Sequence, residues 1–324
     1  MEKIITKVFP LLLLLSFQQP ANSQRVKTSV EEDGLKGKVK QLRQHFYKAE
    51  VKSGVISTGA KAIGTGFPFD TFIPQNFMYE YDEKGNIIKS NSNDDTAQSK
   101  TTYEYDDKGN VLEVKNFGSN GSVGSSYTHQ YNDQGMLTKT IAYNQGYLWI
   151  TETLQYDSKG NITEDISNYA DGSLKSKQLY KYDAKGNLIE ENEYSPSDSN
   201  LFPKGTSCCN VHRYAYDDKG HKTEETDYDS NGDLAGVNKF DSKGNRIELH
   251  IYMKFDNKNS GSNSVYKYDD MGSIIEEQTD WTDGTFHSRN KYTYDYDKQG
   301  NWVKKIEFEN DVPKYITVRD ITYF

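Results

Sequence analysis

The sequence predicts an all-β fold in which tandem β-hairpin repeats form a long antiparallel, spiralling β-ribbon of the solenoid type. The first observation is a Tyr-x-Tyr-Asp-x-Lys-Gly-Asn motif that recurs in about nine full or weaker copies. The second is the spacing of its glycines, which varies only from 24 to 34 residues along the chain. These glycines are Gly85, Gly109, Gly135, Gly160, Gly186, Gly220, Gly244, Gly272 and Gly300.

Each copy of the motif has the chemistry of a strand followed by a tight reversal. Tyr79 and Tyr81 alternate with a polar residue, so both rings point to one face of a strand. The carboxylate of Asp82 can accept a hydrogen bond from the backbone two residues on, and Gly85 can adopt a left-handed conformation. Apolar residues then begin the return strand. The motif therefore predicts one hairpin per copy.

A second and looser turn lies midway through many units, where an aromatic residue is followed closely by a glycine. Examples are Tyr169 to Gly172 and Trp281 to Gly284. Two turns per unit give two strands per unit, or about 18 strands in all, from about nine units. We expect so long a meander to wind, with each unit stabilised by its neighbours.

The motif resembles the YD repeat of bacterial RHS-repeat proteins, Tyr-x-Tyr-Asp-x-x-Gly. Full matches to this core begin at Tyr79, Tyr103, Tyr180, Tyr214, Tyr266 and Tyr294. The resemblance implies a β framework and a cell-surface or secreted setting, and YD repeats are also associated with carbohydrate binding. The family's arginine after the glycine is replaced by asparagine, histidine or serine here. The chain has too few repeats to wrap a folded toxin, so the family's encapsulating function is not carried over.

The chain divides into four parts. Residues 1–23 have the pattern of a signal peptide, with Lys3 and Lys7 before an apolar stretch and small residues at Ala21 and Ser23. Residues 24–74 lack the motif and are expected to cap the first strand edge. Residues 75–324 carry the repeats, with an insertion near 195–210. We therefore expect an exported protein, located in the periplasm, at the cell surface or outside the cell.

Charge and hydropathy restrict the partners. The formal net charge is −9, and removal of Glu2, Lys3 and Lys7 with the signal peptide takes away +1, which leaves −10. Such an acidic chain is a poor partner for the phosphates of nucleic acid. No segment after the signal peptide is apolar enough to form a transmembrane span.

One segment matches the first half of a calcium-binding loop. Asp227, Asp229, Asn231 and Asp233 place oxygen atoms at alternate positions around Gly232, which permits a sharp bend. This pattern makes Ca²⁺ a candidate ligand. Its twelfth position is an asparagine instead of the usual glutamate, and the same segment aligns with the mid-unit turns. A plain turn is therefore the alternative.

Two further sets of residues differ from the repeat. Cys208 and Cys209 are adjacent, and His212 follows beside the only insertion, so a redox or metal role stands against the alternative of incidental thiols or a strained vicinal disulfide. Trp149 and Trp302 fall outside the Tyr-x-Tyr positions and are candidates for an exposed aromatic platform.

The sequence contains no recognisable catalytic motif. The six histidines are scattered, and the recurring aspartates are explained by turn positions. We therefore expect no enzyme. The leading interpretation is a non-catalytic binding or surface-interaction protein that recognises a glycan or another envelope or secreted component. The alternatives are a structural or accessory protein of a toxin or secretion system and, third, an enzyme.

Overall fold

The computed structural model describes residues 28–62, 76–92, 99–196, 207–255 and 258–324. The signal peptide expected at 1–23 lies outside these ranges, as does most of the insertion. In the described ranges, one short helix precedes a succession of strands. No helix there combines the length and the apolar character that a membrane span requires.

The elements follow the repeat closely. Helix α1 is Ser29–Glu32, and the first strands are β1 (Val39–Lys52), β2 (Val55–Lys61), β3 (Phe77–Tyr81), β4 (Ile87–Ser92), β5 (Ser99–Tyr105), β6 (Val111–Phe117) and β7 (Val123–Tyr131). Next are β8 (Leu137–Asn144), β9 (Tyr147–Tyr156), β10 (Ile162–Tyr169), β11 (Leu174–Tyr182), β12 (Leu188–Pro196), β13 (Ser207–Tyr216) and β14 (Lys222–Tyr228). The last are β15 (Leu234–Phe240), β16 (Arg246–Phe255), β17 (Lys258–Tyr268), β18 (Ile274–Trp281), β19 (His287–Tyr296), β20 (Trp302–Glu309) and β21 (Val312–Tyr323).

The strands form a closed antiparallel barrel. From β3 to β21 each strand pairs with the next in chain order, and β1 then pairs with both β21 and β3. Leu42 of β1 faces Ile321 on one side and Tyr79 on the other, so a single strand joins the two ends of the meander. The barrel therefore contains 20 strands, and β2 pairs with the far end of β1 outside the ring.

The expectation of an open, spiralling ribbon was therefore wrong. All-β character and tandem hairpins were predicted correctly, but the two sheet edges do not remain apart. The physical reason lies in the segment before the repeats, which was expected to cap one edge only. Its strand β1 has two edges of its own and satisfies the unpaired backbone groups of both β3 and β21.

The nine glycines of the motif all lie at tight reversals, as predicted. Their φ angles lie between +82° and +90°. At a representative turn, Asp106 Oδ1 accepts hydrogen bonds from the backbone N–H groups of Lys108 (2.9 Å) and Asn110 (2.8 Å). The side-chain amide of Asn110 donates to Asp106 Oδ2 at 2.8 Å. The motif's aspartate and asparagine therefore fix the turn together.

The tyrosine rings of the repeated motif line the inner face of the barrel. Burial raises the pKa of tyrosines on this face, to about 12 at Tyr79, Tyr131 and Tyr182. Side chains between them in sequence point the other way. Lys181, which lies between Tyr180 and Tyr182, forms an ion pair with Glu190 in solvent. Such a difference in burial between the two faces is what closure of a sheet produces.

A ladder of hydroxyl bonds joins each unit to the one before it. The second tyrosine of a unit donates its hydroxyl to the first carbonyl of the previous unit's return strand. Tyr105 bonds Ile87 O at 2.6 Å, and Tyr156 bonds Leu137 O at 2.6 Å. The same bond is made by Tyr131, Tyr182, Tyr216 and Tyr268. In the last unit the first tyrosine, Tyr294, bonds Ile274 O, and the second, Tyr296, bonds the side chains of Asp269 and Ser273. Buried hydroxyls are satisfied in this way.

A cluster of buried apolar residues lies at the closure seam, where β1 pairs with β3 and β21. Val30, Leu35, Val39, Leu42 and Tyr81 are all buried there. Helix α1 begins with a capping box between Thr28 and Glu31 and enters this cluster through Val30. The N-terminal segment therefore packs against the barrel end that carries the motif turns.

Candidate functional sites on the barrel wall

The inner face is strongly polar around β9 to β14. Asp165 lies close to Glu152, and burial together with the Glu152 charge raises the pKa of Asp165 to about 8. Burial also raises the pKa of Glu191, and burial first, then the Glu191 charge, raises that of Tyr180. This wall therefore combines carboxyl and phenol groups whose protons are retained more strongly than in water.

His212 joins this polar wall together with two carboxylates. It lies on β13 directly opposite Asp227 on β14, and its Nδ1 is 2.6 Å from Asp227 Oδ1. Glu225, two residues before Asp227, projects from the same face. One potential ligand atom from each of the three residues lies within 4.8 Å of the others. The hydrogen bond to Asp227 raises the pKa of His212.

The calcium set predicted from the sequence is divided between two places. Asp229 Oδ1 accepts the backbone N–H groups of Asn231 and Asp233, each at 2.9 Å, and so fixes the turn between β14 and β15. Asp171 makes the same kind of bond to Ser173 at another mid-unit turn. Asp227 lies apart from this turn, beside His212. Calcium binding by the four residues stays a prediction.

Cys208 and Cys209 lie on β13, four and three residues before His212. Their direct cross-strand neighbours on β12 are Ser195 and Tyr194. The redox or metal role of the two thiols, and a bond between them, stay predictions.

Neither predicted platform tryptophan is strongly exposed. Trp302 lies at the closure seam, where the guanidinium of Arg319 is 3.5 Å from its ring centroid. Its edge also meets Tyr294, with centroids 6.1 Å apart. Trp149 is half-buried at an irregularity in the pairing of β8 with β9.

An exposed aromatic pair lies elsewhere, on the hairpin between β18 and β19. Trp281 and Phe286 are 40% and 47% exposed, and their ring centroids are 5.9 Å apart. Polar groups surround the pair: Asp283 Oδ1 accepts the hydroxyl of Thr285 at 2.6 Å, and His287 is paired with Asp280. The sequence signal for this pair was the length of the mid-unit turn, in which Phe286 follows the glycine by two residues.

The outer face carries cross-strand ion pairs in the half of the strands that lies nearer the motif turns. Glu190 contacts Lys181 at 2.6 Å and Arg213 at 3.1 Å. Hydrogen bonds from Asn192 and Lys181 lower the pKa of Glu190 to about 2. Glu276 is paired with Lys267 and Arg289 in the same way. Exposed aliphatic side chains lie near both kinds of turn. Val123, Leu148, Leu174 and Leu234 are close to the mid-unit turns, and Ile88, Leu112, Ile189 and Ile275 are close to the motif turns.

A shallow hollow of about 520 Å³ lies between the second and third motif turns. Asp106, Asn110, His129, Tyr131 and Asp133 line it. Burial lowers the pKa of His129, whose ring contacts the Thr140 hydroxyl at 3.2 Å. The hollow is open to solvent and places the His129 imidazole beside turn carboxylates.

Comparisons with known proteins found no matching family model and no matching curated protein. The YD-repeat resemblance therefore rests on the residues of this chain. Among solved structures, the chain is similar to a porin-like protein from Bacteroides uniformis ATCC 8492 at 10% identity and a TM-score of 0.33, over 88% of this chain and 96% of that one.

Two other solved structures have comparable scores. A porin-like protein from Bacteroides vulgatus ATCC 8482 matches at 12% identity and a TM-score of 0.31, over 70% of this chain and 93% of that one. A structure described as TcdB2-TccC3-Cdc42 matches at 13% identity and a TM-score of 0.27, over 76% of this chain but 20% of that one. Scores this low carry no argument about activity or location.

Proposed function

We propose that this chain is an exported, non-catalytic binding protein that recognises a glycan through the Trp281–Phe286 hairpin. The observation that carries the proposal is the exposure of two neighbouring rings at one end of the barrel, 40% and 47% exposed with centroids 5.9 Å apart. Large exposed aromatics on a rigid hairpin are typical of binding surfaces.

The chemistry around the rings fits a sugar. An aromatic face can pack against the apolar face of a pyranose ring, and nearby polar groups can then accept or donate hydroxyl hydrogen bonds. Asp283, Thr285 and His287 supply such groups within six residues of Trp281. A glycan is also compatible with the acidic balance of the chain, because most sugar hydroxyls are uncharged.

Export is supported by the signal-peptide pattern of residues 1–23. The charged residues on the outer face favour a barrel wall that is in contact with water. Glu190 and Glu276, each with lysine and arginine partners, lie on the outer face, each at the third residue of its strand. A lysine or arginine facing lipid is unfavourable by an amount that depends on depth, up to about 2–4 kcal/mol at the middle of a bilayer. We therefore propose that the mature chain works at the cell surface, in the periplasm or outside the cell without spanning a bilayer.

A glycan array probed with residues 24–324 tests the proposal. We expect binding to one class of glycan and at least a tenfold loss of affinity in a Trp281→Ala/Phe286→Ala double variant. Tyr147→Ala is the matched control, because Tyr147 is 78% exposed at a different mid-unit turn. Binding that survives the double variant would overturn the assignment to this hairpin.

A protein partner is the second candidate, as expected of an accessory component of a toxin or secretion system. The exposed aliphatic side chains at Val123, Leu148, Leu174 and Leu234 favour it, because they recur at matching positions near several mid-unit turns. An array without any bound glycan would reject the first candidate and favour this one.

A further inference from the structure

A second site lies on the inner face, where β13 and β14 bring together three side chains that can ligate a metal. His212 and Asp227 are direct cross-strand neighbours, and Glu225 precedes Asp227 by two residues. Residues two apart on a strand share a face, so both carboxylates approach the imidazole from the same side. The three candidate ligand atoms lie within 4.8 Å of one another.

The donor set indicates the class of ion. One imidazole nitrogen and two carboxylate oxygens suit a divalent transition metal such as zinc, whereas Ca²⁺ and Mg²⁺ prefer oxygen ligands alone. Atoms bound to one zinc ion at 2.0–2.2 Å stand about 3.4 Å apart. The most distant pair of ligand atoms therefore needs to close by up to about 1.4 Å, whereas His212 Nδ1 and Asp227 Oδ1, 2.6 Å apart, need to separate by about 0.8 Å. Rotation of half-buried side chains on fixed strands can supply both movements.

The surroundings leave room beside these ligands. Gly236 of β15 lies directly opposite Asp227, and a Cβ atom there would stand 3.1 Å from Asp227 Oδ2. On the other side Glu191 of β12 is the cross-strand neighbour of His212 and adds negative charge. Lys222 would compete with a metal ion for Glu225, because Lys222 Nζ forms an ion pair with Glu225 Oε2 at 2.8 Å.

We propose that His212, Glu225 and Asp227 form a binding site for a zinc-class divalent metal on the inner face of the barrel. The site is separate from the Trp281–Phe286 hairpin, and it differs from the calcium set because it uses His212 and Glu225. It also differs from a thiol site, since Cys208 and Cys209 are not among its ligands.

Calorimetric titration of residues 24–324 with ZnCl₂ tests the proposal, carried out in a Cys208→Ser/Cys209→Ser background. We expect one zinc ion per chain, and at least a tenfold loss of affinity in both His212→Gln and Asp227→Asn. Loss of zinc binding on removal of the two cysteines would assign the metal to the thiols and overturn the proposal. Titration with CaCl₂ in parallel tests the calcium prediction.

Two further variants separate a metal site from an ordinary ion pair. His287→Gln is the matched control. His287 is also paired with an aspartate, Asp280, but it is not part of the three-residue cluster of His212, Glu225 and Asp227. The control variant is expected to leave zinc affinity unchanged. Lys222→Met removes the cation that competes for Glu225 and is expected to tighten zinc binding several-fold. Unchanged affinity in His212→Gln, or no stoichiometric binding at 100 μM zinc (about 100 times a micromolar Kd), would refute the site.

Co²⁺ substitution gives a readout that does not depend on heat. Bound cobalt is expected to show visible absorption that zinc displaces and that Asp227→Asn abolishes. Glycan binding by the Trp281–Phe286 hairpin is measured separately, so failure of either proposal leaves the other testable.

Discussion

Lys36 and Asn301, 265 residues apart in sequence, are joined by two hydrogen bonds. The backbone N–H of Lys36 donates to Asn301 Oδ1 at 2.8 Å, and Asn301 Nδ2 donates to Lys36 O at 2.8 Å. Asn301 Nδ2 also donates to the hydroxyl of Tyr323 at 2.8 Å. At other motif turns the asparagine amide bonds the turn's own aspartate, as Asn187 bonds Asp183. The last turn therefore uses its asparagine to hold the N-terminal segment.

Asn301→Ala is expected to destabilise the barrel more than Asn187→Ala does. The first change removes three side-chain hydrogen bonds of a side chain that is almost fully buried, and the second removes one. At about 1 kcal/mol per bond, the losses in the free energy of unfolding are about 3 and about 1 kcal/mol. Urea unfolding of both variants measures the difference. Equal losses would show that Asn301 has no special part in closure.

Gly109→Ala is expected to destabilise the protein through the backbone alone. Gly109 has φ of +90°, and a Cβ atom there would meet no other atom within 4 Å. The expected loss is about 1–2 kcal/mol, the cost of a left-handed conformation for a residue with a Cβ. Gly124→Ala is the control, because Gly124 lies on β7 and a Cβ there would have its nearest neighbour at an ordinary 3.8 Å. Thermal unfolding that is equally affected by both changes would contradict this explanation.

The tyrosine ladder predicts additive losses on removal of hydroxyl groups. Tyr156→Phe removes the 2.6 Å bond to Leu137 O and leaves a partly buried carbonyl without that donor. The expected loss is about 1 kcal/mol, and Tyr105→Phe/Tyr156→Phe/Tyr216→Phe is expected to lose about 3 kcal/mol because the three sites share no partner. Tyr147→Phe serves as the control. Phe240 already occupies the corresponding position of one unit, so the ring alone is compatible with the fold.

The pair of Asp165 and Glu152 predicts a stability that decreases with rising pH. Burial and then the Glu152 charge raise the pKa of Asp165 to about 8, from an ordinary value of 3.8. The folded state therefore binds a proton that the unfolded state releases. Its stabilising contribution is complete below pH 4 and is lost as the pH rises toward 8.

Asp165→Asn keeps a neutral group at this position and is expected to remove that pH dependence. Relative to the wild type, the variant should be more stable by about 1–2 kcal/mol at pH 5 and by about 4–5 kcal/mol at pH 8. Asp107→Asn, on an exposed turn, is the control. Parallel pH profiles for wild type and Asp165→Asn would contradict the pKa assignment.

The hairpins were predictable because each is a local event. Asp106, Gly109 and Asn110 determine their turn with bonds that span at most four residues. Closure of the barrel was not predictable from the same pattern. Strand β1 carries no copy of the motif, and its pairing with β21 joins residues such as Leu42 and Ile321 that are distant in sequence.

The candidate sites also differ in how far their contacts depend on local pairing within one hairpin. His212 and Asp227 lie on the two strands of the hairpin that turns at Gly220. Their proximity follows from pairing residues outward from that turn with one bulge, so it could have been predicted from the sequence. The packing of Trp302 under Arg319 could not have been, because it depends on the strand order at the seam. Repetition predicts contacts between neighbouring units, whereas the seam joins residues outside the repeat.

The position of β1 also has a consequence for how the protein reaches its native state. Until β1 has paired, both β3 and β21 present unprotected strand edges, and the partner of β21 lies almost the whole chain length away. Loop-closure entropy makes so distant a pairing slow. We therefore expect an open sheet with two unpaired strand edges to precede closure, and the folding yield in the cell to depend on chaperones that keep those edges from pairing with other chains.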